Sequence, residues 1–460
     1  MRGVFGEWYH LIGIGGAGMS ALAKILMDMG IKVSGSDLVA SPKLEKLKKQ
    51  GAHICIGHSA ENIQPGVDHV VVSSAIPPSN VEVVAARQKG LPVITRGDLL
   101  ARLMNSCKGI AIVGAHGKTT TTSMISLVLV ANGFDPTCVI GGEVSDIGGN
   151  ARLGKGEYMI AEADESDGSF LKLSPYAAVI TNIDNDHLDY YKNTEEIVSA
   201  FQNFLHRVNN DGFAVLCTDN RFVRELYVTH AEAITYGLEG SPDYKAVVIA
   251  EKGFAVEADI FERQNLLGRL YLAVPGVHNV QNALAAVAVG RRLGLSFDQI
   301  ADALRTFRGA HRRFQVLAQY DGIKVIDDYA HHPTEIRAVL NAARSLKSSR
   351  TIAVFQPHRY TRTLFLKDDF GSAFSGCDLV IVTDIYSAGE RSIDGVTSEL
   401  IVRAIRQNGQ NVLYIGNLDD VVDFLSREMK SGDLILTIGA GNVCVVGQKL
   451  AEILSPRARQ

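Results

Sequence analysis

The stretch from Lys108 to Gly133, KGIAIVGAHGKTTTTSMISLVLVANG, decides how the chain is read. KGIAIV is an apolar run of the length of a buried strand, and SMISLVLVANG continues as an apolar helix. Between them stands GAHGKTTTT. Gly114 and Gly117 permit a turn whose backbone N–H groups converge on an anion, Lys118 adds a cation for phosphate oxygens, and Thr119 offers a hydroxyl to Mg²⁺. The loop is shorter than the full G-x-x-x-x-G-K-[ST] pattern, since Ile112 stands where the first glycine would be. A strand before it and a helix after it supply the context of a phosphate-binding loop, covering Gly114, Ala115, His116, Gly117, Lys118, Thr119 and Thr120.

A chemically different glycine loop lies upstream. Residues 9–37 read strand, loop, helix, strand, with Gly13-x-Gly15-x-x-Gly18 matching the dinucleotide fingerprint and Asp37 placed where a ribose-binding acid would sit. Alone, this unit suggests an NAD-dependent dehydrogenase. The same backbone donors would hold the pyrophosphate of a UDP-sugar equally well, so the loop does not identify the base.

Working outward, short apolar runs alternate with helical segments along most of the chain, which predicts an α/β protein. At 460 residues it exceeds the size at which one core stops growing, and three domains are expected. These are a Rossmann-like domain over 1–106, a central P-loop ATPase-type domain over 107–312, and a second Rossmann-like domain over 313–460. The central domain should have a mostly parallel sheet with a small β-rich part near residues 245–276, and the third segment reads as another doubly wound parallel sheet. A hydrophobic fraction of 46% fits a globular enzyme, and the net charge of −4 offers no basic field for nucleic acid or an anionic membrane. The six cysteines form no C-x-x-C pair, which suits reduced thiols, and the N-terminal region lacks a leader-like pattern; a cytoplasmic protein is expected.

Charged clusters gather where apolar runs end. YMIAEADESD places Glu162, Asp164, Glu165 and Asp167 close together, a concentration that calls for a cation. TNIDNDHLDYY adds Asp184, Asp186, His187 and Asp189, where a histidine with carboxylates beside a bound phosphate suits a second metal position. HNVQN puts Asn279 and Asn282 on one helical face. GAHRRF sets Arg312 and Arg313 at the second boundary, where a cation can serve a transferring phosphoryl group. In DDYAHHPTE, Asp328 is a candidate for a ribose and His331 or His332 for a substrate carboxylate, while His358, Arg359 and Arg362 of PHRYTRT suit anionic groups.

In order, HLIGIGGAGMS, GAHGKTTTT, EADESD, TNIDNDHLD, HNVQNALAA, GAHRRF, DDYAHHPTE and FQPHRYTRT resemble the motifs of the Mur ligases of bacterial cell-wall synthesis, over essentially the whole chain. GIGGAGMS, DDYAHHPTE and FQPHRYTRT resemble the L-alanine-adding branch; a murein-tripeptide recycling ligase is the nearest alternative within the family. The resemblance implies a cytoplasmic enzyme, monomeric or weakly dimeric, that takes UDP-N-acetylmuramate, L-alanine and ATP with Mg²⁺. It implies UDP-sugar contacts from Gly15, Gly16, Ala17, Gly18, Met19 and Ser20, with Ser73 and Ser74 nearby. ATP phosphates would lie on Gly114 to Thr120, with Mg²⁺ on Thr119 and Glu162 and a further ion near Glu162 and His187. Asn279 and Asn282 would neighbour the nucleotide, Arg313 its terminal phosphate and Asp328 its ribose. Tyr329, His331, His358 and Arg359 would surround the alanine. Lys118, Glu162, His187 and Arg313 are the implied catalytic set.

Overall fold

A computed structural model describes residues 7–186 and 190–455. His187 and Asp189, both expected near a metal, lie outside the described residues.

The first sheet comprises β1 (Trp8–Ile12), β2 (Lys32–Asp37), β3 (His53–Ile56), β4 (His69–Val72) and β5 (Val93–Thr95), all parallel, in the order β3-β2-β1-β4-β5. The order reverses between β1 and β4, and ligands of such sheets bind outside the carboxyl ends of the strands at that reversal. Gly13 follows β1 there, and Ser73 follows β4.

The second sheet begins with β6 (Lys108–Val113), β7 (Thr137–Val144), β8 (Gly149–Arg152), β9 (Tyr158–Glu162), β10 (Ala177–Ile180), β11 (Phe213–Cys217) and β12 (Glu232–Gly237), in the order β12-β11-β10-β6-β9-β7-β8. Only β8 pairs antiparallel among these seven. Strand β10 is apolar and fully buried, and β6 is buried from Gly109 onward, as strands covered on both faces must be. The β-rich stretch expected next forms β13 (Tyr244–Lys252), β14 (Ala255–Glu262) and β15 (Asn265–Leu272).

The third sheet contains β16 (Gln315–Tyr320), β17 (Ile323–Asp328), β18 (Arg350–Phe355), β19 (Leu379–Val382), β20 (Val412–Tyr414) and β21 (Asp433–Ile438), in the order β16-β17-β21-β18-β19-β20. It is not wholly parallel as expected, because β16 runs antiparallel to β17. Asp321 (φ 50°) and Gly322 (φ 76°) form a two-residue connection with both residues left-handed, the geometry that matches the twist of a hairpin.

The chain packs as two compact units. One holds the first sheet and most of the second; the other holds everything from Arg308 onward with the segments Val248–Ala258 and Tyr271–Val280. Within the first unit the two sheets share an apolar cluster that runs from Leu22, Leu99 and Met104 to Val139, Phe170 and Phe201. The glycine loop after β1 is therefore seated on the same core as the loop after β6.

Candidate active site

In the first loop, Gly13 (φ 78°) and Ile14 donate their N–H groups to Ser36 O at 2.9 and 3.1 Å, which bends the chain off β1 onto the end of β2. Asp37 accepts from Gly15 N at 2.8 Å through Oδ2 and from Leu38 N through Oδ1. Its carboxylate thus ties down the loop in this structure. Gly16 precedes the helix Ala17–Asp28, whose first N–H groups lack intrahelical partners and favour an anion. Met19 and Ser20 are buried, and the Ser20 hydroxyl donates to Ala17 O, so Gly15 to Gly18 form the accessible part of the expected UDP-sugar loop. Ser73 packs against Gly13, and Ser74 beside it is exposed.

The second loop is laced to the end of β10. Asn182 accepts from His116 N at 2.8 Å and returns its amide to His116 O at 2.9 Å, while Thr181 Oγ1 also donates to His116 O at 2.7 Å. A Cβ on Gly114 (φ 139°) would come within 2.2 Å of Thr181 Oγ1, and one on Gly117 (φ 79°) within 2.6 Å of Asn282 Oδ1. Both glycines are dictated by conformation and by space. His116 Nε2 meets Asp184 Oδ2 at 2.9 Å, and Thr121 donates to Asn282 at 3.2 Å.

Lys118, first residue of the helix Lys118–Ala131, sits between the Glu165 oxygens at 2.8 and 3.0 Å and turns back onto Gly114 O and Ala115 O. Burial alone would lower its pKa, but Glu165, Asp164 and Glu162 together raise it, so the ammonium is retained. Thr119 Oγ1 donates to Glu162 Oε2 at 3.2 Å, and Gly141 N fixes the other Glu162 oxygen at 2.7 Å. A hydroxyl and a carboxylate converging this way are hard oxygen donors that suit Mg²⁺.

Sequence reasoning read one residue here only in outline and missed another. Glu165 was legible only as one of an acidic cluster, and Arg96, whose Nη2 donates to Asp164 Oδ2 at 2.7 Å, belongs to no motif. Ala17, Gly18, Arg96, Lys118, Glu162 and Asp164 line one cavity of about 230 Å³ in the first unit.

In the second unit Asn279 donates to Pro275 O at 2.7 Å. Arg312 (φ 59°) spends its guanidinium on Asp327 Oδ2 and on the carbonyls of Gly439 and Gly441, so it braces the fold. Arg313 lies over the Tyr329 ring at 5.2 Å and 3.8 Å from Glu335. Buried Asp328 accepts from Phe314 N and Ala330 N, both at 2.7 Å; burial pushes its pKa up to about 6 against the pull of Arg313. His278 is driven down to about 4 by burial and by Arg313, and is neutral near pH 7. His332 is buried at the N-cap of the helix Pro333–Arg344, where its ring accepts from Thr334 N, whereas His331 is partly exposed. His331 lies 5.6 Å from the His358 ring, which stacks on Tyr386 at 5.7 Å. Arg359 (φ 71°) begins the helix Tyr360–Phe365, and Arg362 bonds His358 Nδ1 at 3.1 Å.

Comparisons with known proteins cover the chain nearly from end to end. Three family models match in order: Mur ligase family, catalytic domain, at residues 8–108; Mur ligase middle domain at 112–290; and Mur ligase, glutamate ligase domain, at 312–441. A UDP-N-acetylmuramate–L-alanine ligase of Pelotomaculum thermopropionicum is 53% identical over 448 residues, covering 97% of each chain. One of Desulforamulus reducens is 50% identical, covering 97% of this chain and 98% of its own. Among solved structures, a UDP-N-acetylmuramate–alanine ligase of Thermotoga maritima superposes with a TM-score of 0.85 at 29% identity, covering 98% of this chain and 99% of its own. Loops, strand orders and relatives lead to one assignment: the chain belongs to the Mur ligase family.

Proposed function

We propose that the chain is an ATP-dependent ligase that joins L-alanine to the lactyl carboxylate of UDP-N-acetylmuramate, giving ADP and phosphate. The observation that carries this reading is the shared cavity, onto which the start of the helix after the first glycine loop, Ala17 and Gly18, opens together with Lys118 of the phosphate loop. A UDP-sugar held by the first loop brings its acid toward an ATP γ-phosphate held by the second. A dehydrogenase would have no use for Lys118, Thr119 and Glu162.

A carboxylate does not condense with an amine unaided, because its oxygen is a poor leaving group. The lactyl oxygen attacks the γ-phosphorus, ADP departs, and an acyl phosphate forms. The deprotonated amine of alanine then attacks the acyl carbon, and phosphate leaves with the carboxyl oxygen.

Lys118 offsets charge on the phosphoryl group by preorganised electrostatics, and Arg313 is assigned to the terminal phosphate by resemblance alone. Thr119 and Glu162 would hold an Mg²⁺ ion, which would supply neutralisation of phosphate charge; His187 is assigned to a further ion by resemblance alone. Asn279, Asn282 and Asp328 are assigned to the nucleotide, and Tyr329, His331, His358 and Arg359 to alanine. On this reading residues 1–106 hold the UDP-sugar, 107–312 the ATP, and 313–460 the amino acid.

The test is phosphate release from ATP and Mg²⁺ with UDP-N-acetylmuramate, adding each amino acid in turn and weighing the product. Release that needs both the UDP-sugar and L-alanine, with the mass of the alanyl conjugate, supports the proposal. Release only with a preformed peptide makes the chain a recycling ligase.

A further inference from the structure

Arg96 is the first residue of the helix Arg96–Met104 and directly follows β5, so it stands at a carboxyl end of the first sheet, where ligands gather. Its side chain crosses the first glycine loop: a Cβ on Gly18 would come within 2.9 Å of Arg96 Nη1 and 3.1 Å of Arg96 Cδ. On the other side Nη2 reaches Asp164 Oδ2 at 2.7 Å. The helix start is held in place by close packing, since a Cβ on Gly97 would meet Ser169 Cβ at 2.5 Å, and by Lys172 Nζ at 2.7 Å from Asp98 Oδ1. Arg96 is thus a rigidly seated cation between the two loops.

An acid entering the cavity meets Glu162 and Asp164, and Lys118 is already engaged by Glu165. A guanidinium carries five N–H donors, and among the described residues Arg96 commits one of them, to Asp164. Its planar fork can meet a second carboxylate along another edge while the first fixes its plane.

We infer that Arg96 binds the carboxylate of the acceptor and holds it in the cavity beside Lys118, with Asp164 orienting the guanidinium. This rests on the ligase reading above and adds a substrate-binding residue that no motif contains. An alternative source of the same chemistry is the acceptor's diphosphate, because Arg96 also touches Gly18.

Calorimetric titration of the full chain, Arg96→Gln and Arg96→Lys with UDP-N-acetylmuramate and with UDP-N-acetylglucosamine separates these, since the second ligand keeps the diphosphate and lacks the carboxylate. Loss of a charge-assisted contact should weaken the muramate ligand roughly ten- to hundredfold in Arg96→Gln, leave the other within about twofold, and weaken it less in Arg96→Lys. The KM for UDP-N-acetylmuramate should rise in parallel while that for ATP stays. Equal weakening of both ligands would assign Arg96 to the diphosphate and overturn the inference. Unchanged binding of both would reduce Arg96 to a structural tie, with the same consequence. Should Arg96→Gln fail to fold, the ratio of the two affinities in Arg96→Lys decides. If the unaltered chain binds neither ligand and forms no alanyl product, the ligase reading itself falls, an outcome distinct from all of these.

Discussion

At the scale of single residues, the phosphate loop is under two separate constraints, and each can be broken alone. Gly117 has φ 79° and no room for a Cβ beside Asn282, so Gly117→Ala should strain the loop, raise the KM for ATP and lower the melting temperature. Lys118 is held for its charge; Lys118→Met should cut kcat by about 10²- to 10³-fold and also lower the melting temperature, because Glu165 is left buried without its cation, as measured by phosphate release and thermal unfolding. Glu82 offers a test of another kind. It is fully buried between His10, Ser36 and Asn62; burial opposes its ionisation, but their hydrogen bonds hold its pKa down to about 2 against an ordinary 4.5. Its charge therefore contributes stability above pH 4.5, lost as pH falls through 2. The shift corresponds to about 3 kcal/mol. Urea unfolding should show Glu82→Gln less stable than the unaltered chain at pH 7, with the gap closing as pH drops below 4. A gap independent of pH would mean that shape, not charge, matters at this position.

At the scale of elements, both glycine loops were legible because their requirements are local. A tight turn between a buried strand and a helix leaves glycine few substitutes, and a cation next to it has few structural uses. Arg96 was not legible, because what makes it functional is a carboxylate 68 residues away. The antiparallel edge strand β16 did leave a signal, the Asp321–Gly322 turn, but an alternating α/β pattern on either side overrode it. Asp37 was placed correctly at the end of β2, yet spacing alone did not reveal that its oxygens accept from the loop's own backbone. The helix Arg96–Met104 carries the prediction that belongs here. Gly97→Ala inserts a methyl group where Ser169 already sits at 2.5 Å, and should cost about 1–3 kcal/mol by forcing the helix off the acidic loop. The KM for UDP-N-acetylmuramate should rise with it; a rise in KM without any loss of stability would show that Gly97 serves the ligand directly.

At the scale of the whole molecule, both loops belong to one compact unit with a continuous core, and the second unit folds around its own six-stranded sheet. Ligands of the two loops should therefore stabilise the same cooperative transition. In scanning calorimetry, UDP-N-acetylmuramate and a non-hydrolysable ATP analogue should each raise it, by about 2.7 kcal/mol at a hundredfold excess over Kd. Shifts in two different transitions would separate the loops energetically. The claim on which everything else depends is that the carboxylate is activated by phosphoryl transfer in the shared cavity. The most direct measurement is to label the lactyl carboxylate of UDP-N-acetylmuramate with ¹⁸O, run the reaction with ATP and L-alanine, and weigh the released phosphate. An acyl phosphate predicts one ¹⁸O atom in each phosphate; phosphate without label would contradict the account.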